Sequence, residues 1–384
     1  MNAPLPCAPA TLTIDLRALA ANWRLLQERA GAAECAGVVK ADAYGIGIEP
    51  AVRALAAAGC RTFFVAHAGE AIRVRAALPD APVYVLNGLL PGMANCLVEH
   101  GLRPVIGSFE ELEDWAAASA AAGRPLPAAL HVDTGMNRLG FPPDSLTALP
   151  SDPRLAAIEP ALLMSHLTSA DEPHKPATQE QIAAFEKARA ILPALPASLS
   201  NSSGHFLDPV PAYDLTRPGF ALYGGNPTPG RPNPMRPVVR LETRIVQIRE
   251  IGGGEPVGYG GAWTARSRRR LATLSVGYAD GYLRNGSATD GDMRDTGAAL
   301  VAGRLCPLAG RVSMDLIVVD VTEVPESEAQ RGSAVTLIGD TLDVDEVGRR
   351  AGTIGYEILT SLGRRYARRY LGLEEEAPPA GASG

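Results

Sequence analysis

Thr62-Phe63-Phe64-Val65-Ala66, followed three residues later by Glu70-Ala71-Ile72-Arg73-Val74-Arg75-Ala76-Ala77, is the stretch whose reading decides the fold. The first five residues are a short apolar run, long enough for a buried strand and too short for a helix. The next eight have helical spacing and good helix formers. The same pairing recurs on both sides. Apolar runs stand at Ala36-Val39, Pro82-Leu86, Arg103-Ile106, Ala128-Val132, Ala161-Ser165, Ala197-Ser200 and Tyr213-Thr216, with helical stretches such as Pro50-Ala58, Phe109-Ala122 and Gln179-Ile191 between them. Eight β-α units over roughly 200 residues predict an α/β fold, a (β/α)8 TIM-type barrel. A doubly wound open sheet is the competitor. It is less favoured, because eight consecutive units close naturally and no G-x-G-x-x-G opens the first helix.

The pattern changes after Pro227. Five prolines fall between Pro227 and Pro237, an ordered connector with little secondary structure. Beyond it come the β-rich segments Val238-Ile251, Leu271-Val276, Ala298-Ala302, Leu316-Val321 and Ala334-Ile338, then helical stretches near Asp343-Ala351 and Thr353-Leu362. The expected organisation is therefore a barrel over 11–235, a mostly-β C-terminal domain over 236–373, and a tail at 374–384 without order.

Composition narrows the function classes. The net charge of -6 gives no reason to expect a nucleic acid or an anionic membrane as partner. No apolar stretch reaches the roughly 18 to 20 residues of a membrane span. Met1 to Ala10 has neither the cationic start nor the apolar core of a secretory signal. The five cysteines (7, 35, 60, 96, 306) are odd in number, widely spaced and without a C-x-x-C pair. They predict reduced thiols in the cytoplasm rather than a disulfide or metal framework.

Among 36 basic residues only Lys40, Lys175 and Lys187 are lysines. Arginine cannot form a Schiff base, whereas a lysine amine can once its pKa is lowered. Lys40 closes the first apolar run, and the chemistry of such barrels gathers at the carboxyl ends of their strands. The later ends supply Arg138, His166, the loop Asn201-Ser202-Ser203-Gly204, and Arg217-Pro218-Gly219-Phe220. Ser and Gly amides at loop-to-helix junctions can cradle a phosphate. A nucleophilic lysine with a phosphate cradle points to pyridoxal 5'-phosphate. Arg217 facing the ring nitrogen could only donate a hydrogen bond, so the ring would stay a shallow electron sink and return its proton rather than transaminate.

On these strings the chain closely resembles the alanine racemases, from Thr11 to about Leu371. Val38-Val39-Lys40-Ala41-Asp42-Ala43-Tyr44-Gly45 is similar to the family's cofactor-lysine motif, and Asp133-Thr134-Gly135-Met136-Asn137-Arg138-Leu139-Gly140 to its arginine loop. Arg217-Pro218-Gly219-Phe220-Ala221-Leu222-Tyr223-Gly224 is similar to its ring-nitrogen loop. In the second domain Gly277-Tyr278-Ala279-Asp280-Gly281-Tyr282, Gly310-Arg311-Val312-Ser313-Met314-Asp315 and Thr353-Ile354-Gly355-Tyr356-Glu357 resemble the remaining signatures.

The resemblance implies an isomerase interconverting L- and D-alanine, either to supply D-alanine for cell-wall peptidoglycan or to degrade it. Lys40 would hold the cofactor covalently and act as one acid/base group. Tyr278, from the other subunit of a homodimer, would act from the opposite face. Arg138 would steady the cofactor phenolate and the substrate carboxylate, towards which Met314 would offer its backbone N–H. Tyr44, Ser202, Gly219, Phe220 and Tyr356 would hold the phosphate, and His166 would bridge Arg217 towards Tyr278. One position departs from the pattern. Where many members have a lysine modified to a carbamate, two residues before the arginine loop's aspartate, this chain has His131. Arg138 would then be oriented by His131, a bound halide or water. A broader-specificity racemase of the same fold is the main alternative. A related decarboxylase would need an acidic ring-nitrogen partner and a reactive cysteine in a C-(E/D)-(S/T) string; Cys306 sits in Leu305-Cys306-Pro307 instead. A non-catalytic cofactor-handling barrel would lack the second domain.

Overall fold

The computed structural model describes residues 8–192, 194–292 and 295–372. Cys7 and the tail 374–384 lie outside the described residues. The chain divides into two compact units: one of Leu19–Arg236 with Gly355–Thr360, the other of the segment up to Ala18, Pro237–Ile354 and the segment from Ser361.

In the first unit seven strands line up in chain order as a parallel sheet: Gly37–Val38, Phe63–Val65, Val83–Val85, Arg103–Ile106, Pro127–His131, Glu159–Met164 and Ala197–Ser198. The eighth, Leu215–Thr216, pairs in parallel with Glu34–Cys35. Backbone bonds close the ring. Asp214 N–H donates to the Ala197 carbonyl (3.0 Å), Arg217 N–H to Ser200 (2.9 Å), Ala36 N–H to Thr216 (2.9 Å) and Val38 N–H to Pro218 (3.1 Å). Phe63, Phe64, Val65, Val83, Ala128, Ala129 and Leu130 have no exposed surface. Such uninterrupted apolar strands suit a parallel sheet covered on both faces. Helices Ile48–Ala58, Ala68–Ala77, Phe109–Ala121 and Ala177–Ile191 follow their strands; Ser108 caps the third by accepting from Glu111 N–H (3.2 Å).

The second unit is mostly β. The thirteen-residue strand Val239–Ile251 is long enough to serve several partners: it pairs with Ala10–Asp15, Arg269–Leu274 and Ala334–Ile338. Further strands are Ala298–Val301, Arg304–Pro307, Ile317–Asp320 and Ala367–Leu371. No helix among the described residues is long and apolar enough to cross a membrane.

Two segments depart from the expected split at 235/236. The expected barrel begins at residue 11, yet Ala10–Asp15 pairs antiparallel with Val239–Ile251 and parallel with Ala367–Leu371. Its alternating buried and half-buried residues are those of a strand with one face in a core. Gly355–Thr360 falls within the expected C-terminal domain, yet it packs in the barrel unit. There the Tyr356 ring stacks on Phe220 with centroids 3.8 Å apart. The helix Leu16–Ala30 was not foreseen. Its buried Asn22 donates to the Leu222 and Arg236 carbonyls (3.1 and 2.9 Å).

Candidate active site

Lys40 follows the first barrel strand, and the turn it opens is unusual. Ala41, Asp42, Ala43 and Tyr44 all have φ between 52° and 55°. Four consecutive non-glycine residues thus form a left-handed turn, at a cost of about 1–2 kcal/mol per residue. The sequence offsets this with polar contacts. Glu70 accepts from Asp42 N–H (3.2 Å), Asp42 Oδ1 accepts from Ile48 N–H (3.1 Å), and Arg73 pairs with Asp42 (2.8 Å) and Glu49 (2.6 Å). Gly45 closes the turn at φ 83°, where a β-carbon would collide with the Leu359 carbonyl. Such strain at a chain position carrying chemistry is characteristic of functional sites.

The Lys40 ammonium is held below its ordinary pKa by burial and then by the charge of Arg138, with Glu70 pulling weakly the other way. A larger fraction of neutral amine follows, as a nucleophile or base requires. Arg138 sits in a loop that Asp133 organises, its carboxylate accepting from the N–H groups of Gly135, Met136 and Asn137 (2.9, 2.9 and 3.0 Å). Among the described residues Arg138 makes no hydrogen bond or ion pair, so its guanidinium is available to a ligand. His131 ends the fifth strand and is 9% exposed. Burial, then the positive charge of Arg217, push its pKa down to about 4. A neutral imidazole therefore stands where a carbamate would have brought negative charge. Together with Leu86, Gly88, Val105, Ser108 and Leu139, His131 lines a cavity of about 270 Å³.

Arg217 is almost fully buried at 3% exposure and donates to the Ser198 hydroxyl and the Ser165 carbonyl. Burial pulls its pKa down to about 9, which still leaves it cationic at neutral pH. It makes no hydrogen bond to His166; its charge, second to burial, lowers that imidazole to about 3. The expected Arg217–His166 bridge is thus an electrostatic neighbour relation in this structure. No carboxylate is paired with Arg217 among the described residues.

The Ser202 hydroxyl accepts from the N–H groups of Gly219 and Ala221 (3.0 and 3.1 Å), tying the loops after the seventh and eighth strands together. Its proton is then free to point outward. Phe220 begins a short 3-10 turn, Phe220–Tyr223, whose leading N–H groups have no partner within the turn. Tyr44 stacks on Tyr223 (4.5 Å) and lies 6.2 Å from Tyr356. The left-handed turn thereby brings Tyr44 to the Ser202–Gly219 loops. A serine hydroxyl, the Phe220 amide and the Tyr44 hydroxyl are fitting donors for a phosphate. Sequence reasoning did not point to Tyr223, which donates to the Val38 carbonyl (2.9 Å) and braces the strand before Lys40.

Tyr278 and Met314 belong to the other unit. Tyr278 opens the 3-10 turn Tyr278–Asp280 and is 42% exposed; Met314 is 53% exposed. Tyr278 N–H donates to the Ser313 carbonyl and Ala279 N–H to Met314, both at 3.0 Å, so the two loops form one surface feature.

Comparison with known proteins gives a consistent result. The family model for the alanine racemase N-terminal domain matches residues 14–227, and that for the C-terminal domain matches 238–370. An alanine racemase of Methylobacterium sp. (strain 4-46) is 58% identical over 94% of this chain and 98% of its own length. A catabolic alanine racemase of Mesorhizobium japonicum is 48% identical over 95% and 94%. The crystal structure of alanine racemase from Bartonella henselae with covalently bound pyridoxal phosphate superposes with a TM-score of 0.89 at 39% identity, over 95% of this chain and all of that one.

Proposed function

The chain belongs to the alanine racemase family, and from that premise we infer that it interconverts L- and D-alanine with pyridoxal 5'-phosphate as cofactor, through Lys40 and Tyr278 as the two proton carriers. When bound, the cofactor withdraws electrons from the substrate's α-carbon and so acidifies its hydrogen. The remaining work falls to the protein. Lys40 anchors the cofactor covalently and moves a proton at the α-carbon on one face. The Tyr278 hydroxyl of a partner subunit moves a proton on the other face. Inversion is simplest with one carrier per face, since one abstracts while the other donates.

Arg138 receives the substrate carboxylate and the cofactor phenolate, and the Met314 amide supplies a further donor to that carboxylate. Ser202, the Phe220 amide, Tyr44 and Tyr356 hold the phosphate, joined by the Gly219 amide once it turns from Ser202 Oγ, to which it donates in this structure. Arg217 faces the ring nitrogen as a donor only, with His166 beside it. The observation that carries this reading is the half-buried, pKa-depressed Lys40, set by a strained turn that also delivers Tyr44 to the Ser202–Gly219 loops.

The protein acts as a homodimer with shared sites; the exposure of Tyr278 and Met314 on two hydrogen-bonded loops, open to a partner, supports this. It works in the cytoplasm, consistent with Cys35, Cys60, Cys96 and Cys306 being free thiols. The deciding experiment measures racemisation of L-alanine, L-serine and L-lysine by the purified holoenzyme. L-Alanine should be turned over fastest. Absence of D-alanine formation in the presence of cofactor would overturn the assignment.

A further inference from the structure

Three loops of the second unit converge on one buried carboxylate. Asp280, 1% exposed, ends the turn that begins at Tyr278, and its Oδ2 accepts from Gly277 N–H at 2.9 Å. Its other oxygen, Oδ1, lies 3.0 Å from Nε of Arg365 and makes no hydrogen bond among the described residues. The same guanidinium reaches the second loop, with Nη1 donating to Asp315 Oδ1 at 2.8 Å, one residue from Met314. The third loop is the one bearing Arg365, and it is fastened to the first by Gly363 N–H donating to the Asp280 carbonyl at 2.9 Å. Packing leaves no slack. A β-carbon on Gly277 would strike the Met314 carbonyl, and one on Gly281 would strike the Ser361 carbonyl.

We propose that Arg365 is a positioning residue that locks the Tyr278 turn and the Met314 loop into one rigid piece, so that the proton-carrying hydroxyl and the carboxylate-binding amide keep a fixed separation. This rests on the roles given to Tyr278 and Met314 above. An exposed ion pair alone would do little. Arg365 differs because one of its two partners is buried, and removing its cation would leave the Asp280 carboxylate without a counter-charge. The turn carrying Tyr278 hangs on that carboxylate. A planar guanidinium can meet two carboxylates at once along two edges, which a lysine's point charge cannot. The two loops hold the pieces that must act on opposite ends of one small substrate, its α-hydrogen and its carboxylate. Freeing either by about 1 Å is enough to cost roughly a hundredfold in rate.

The test uses the holoenzyme and the variants Arg365→Met, Arg365→Lys and Asp315→Asn, with Tyr278→Phe alongside. Four quantities are read: kcat and KM for L-alanine, the inhibition constant of propionate as a carboxylate probe, amide hydrogen exchange in 277–281 and 313–316, and the melting midpoint. Arg365→Met should lower kcat roughly 10- to 100-fold and weaken propionate. It should also speed exchange in both loops, with barrel amides unchanged. Arg365→Lys should recover part of kcat, and Asp315→Asn, which cuts only the Met314 end, should weaken propionate more than it lowers kcat. If Arg365→Met does not fold, these two variants carry the test alone. Unchanged kcat and propionate binding in the Arg365 variants, with Tyr278→Phe inactive, overturns the lock but leaves the proposed reaction standing. Full activity of Tyr278→Phe overturns the reaction assignment and the lock with it. A lowered melting midpoint with normal kinetics per folded enzyme also overturns the lock, since it reports a purely structural role.

Discussion

The Tyr44 hydroxyl fills the space where a side chain at Gly219 would begin: a β-carbon there would overlap it. The two residues come from loops after the first and the eighth barrel strands, so this contact would close the proposed phosphate cradle across the seam of the ring. Gly219→Ala should push Tyr44 aside at an overpacking cost of about 1–3 kcal/mol. The dissociation constant for pyridoxal phosphate should rise roughly tenfold or more, with little change for pyridoxal, which lacks the phosphate. Equilibrium dialysis with the two ligands checks this. An equal loss for both would place the cradle elsewhere.

Lys40→Ala should remove the visible-edge absorbance that a covalently held cofactor gives and lower racemisation by at least roughly a hundredfold. The left-handed turn depends on Glu70, Asp42 and Arg73 rather than on the lysine side chain, so the melting midpoint without cofactor should stay close to that of the unaltered protein. A spectrum unaltered by the substitution would refute the anchor assignment.

Much of the barrel was legible because each strand run is short, apolar and locally bounded; Arg103–Ile106 forms over the residues read for it. What was missed depends on distant partners. Ala10–Asp15 alternates like any half-buried strand, yet its place is fixed by Val239–Ile251 and Ala367–Leu371, more than two hundred residues away. Tyr356 shares a string with residues of the second unit, and only the Phe220 stack shows that its ring belongs with the barrel. Lys40, Arg138 and Arg217 could be named from their strings. The left-handed turn at 41–44 could not, because Ala-Asp-Ala-Tyr contains no glycine and nothing local demands positive φ. Nor could the Asp280–Arg365–Asp315 group, whose members gain meaning only once three loops meet.

Acid should destabilise the fold through its buried imidazoles. His205 is fully buried; its Nδ1–H donates to the Leu26 carbonyl (3.1 Å), while Nε2 has no partner among the described residues. Burial pushes it down to about 4 from 6.5. The folded state then binds fewer protons than the unfolded one between those values. Stability from this residue is complete above about pH 6.5 and is lost as pH falls towards 4, at about 1.4 kcal/mol per pH unit. His205→Phe should flatten the fall in melting midpoint between pH 6.5 and 4.5. An unchanged slope would mean that His205 takes up its proton alike in the folded and unfolded states.

Arg217→Glu should favour transamination over racemisation, because a carboxylate would keep the ring nitrogen protonated and let negative charge spread from the α-carbon. Glutamate would also face the Ser165 carbonyl that Arg217 now bonds, so Arg217→Gln serves as the control that removes the charge without reversing it. The ratio of pyruvate to D-alanine formed should rise from the original to Gln and again to Glu. A ratio indifferent to both changes would dissociate Arg217 from the ring.

Shared sites make a prediction that isolated ones do not. If Lys40 of one subunit works with Tyr278 of the other, a dimer of one Lys40→Ala chain and one Tyr278→Phe chain has both lesions in one site and none in the second. Random re-pairing of equal amounts gives half mixed dimers, so roughly one quarter of all sites should be intact. Each variant alone should be nearly inactive, and activity should appear only after subunit exchange, shown independently by mass. Exchange without recovered activity would mean that each chain completes its own site, and the exposed position of Tyr278 would then need another explanation.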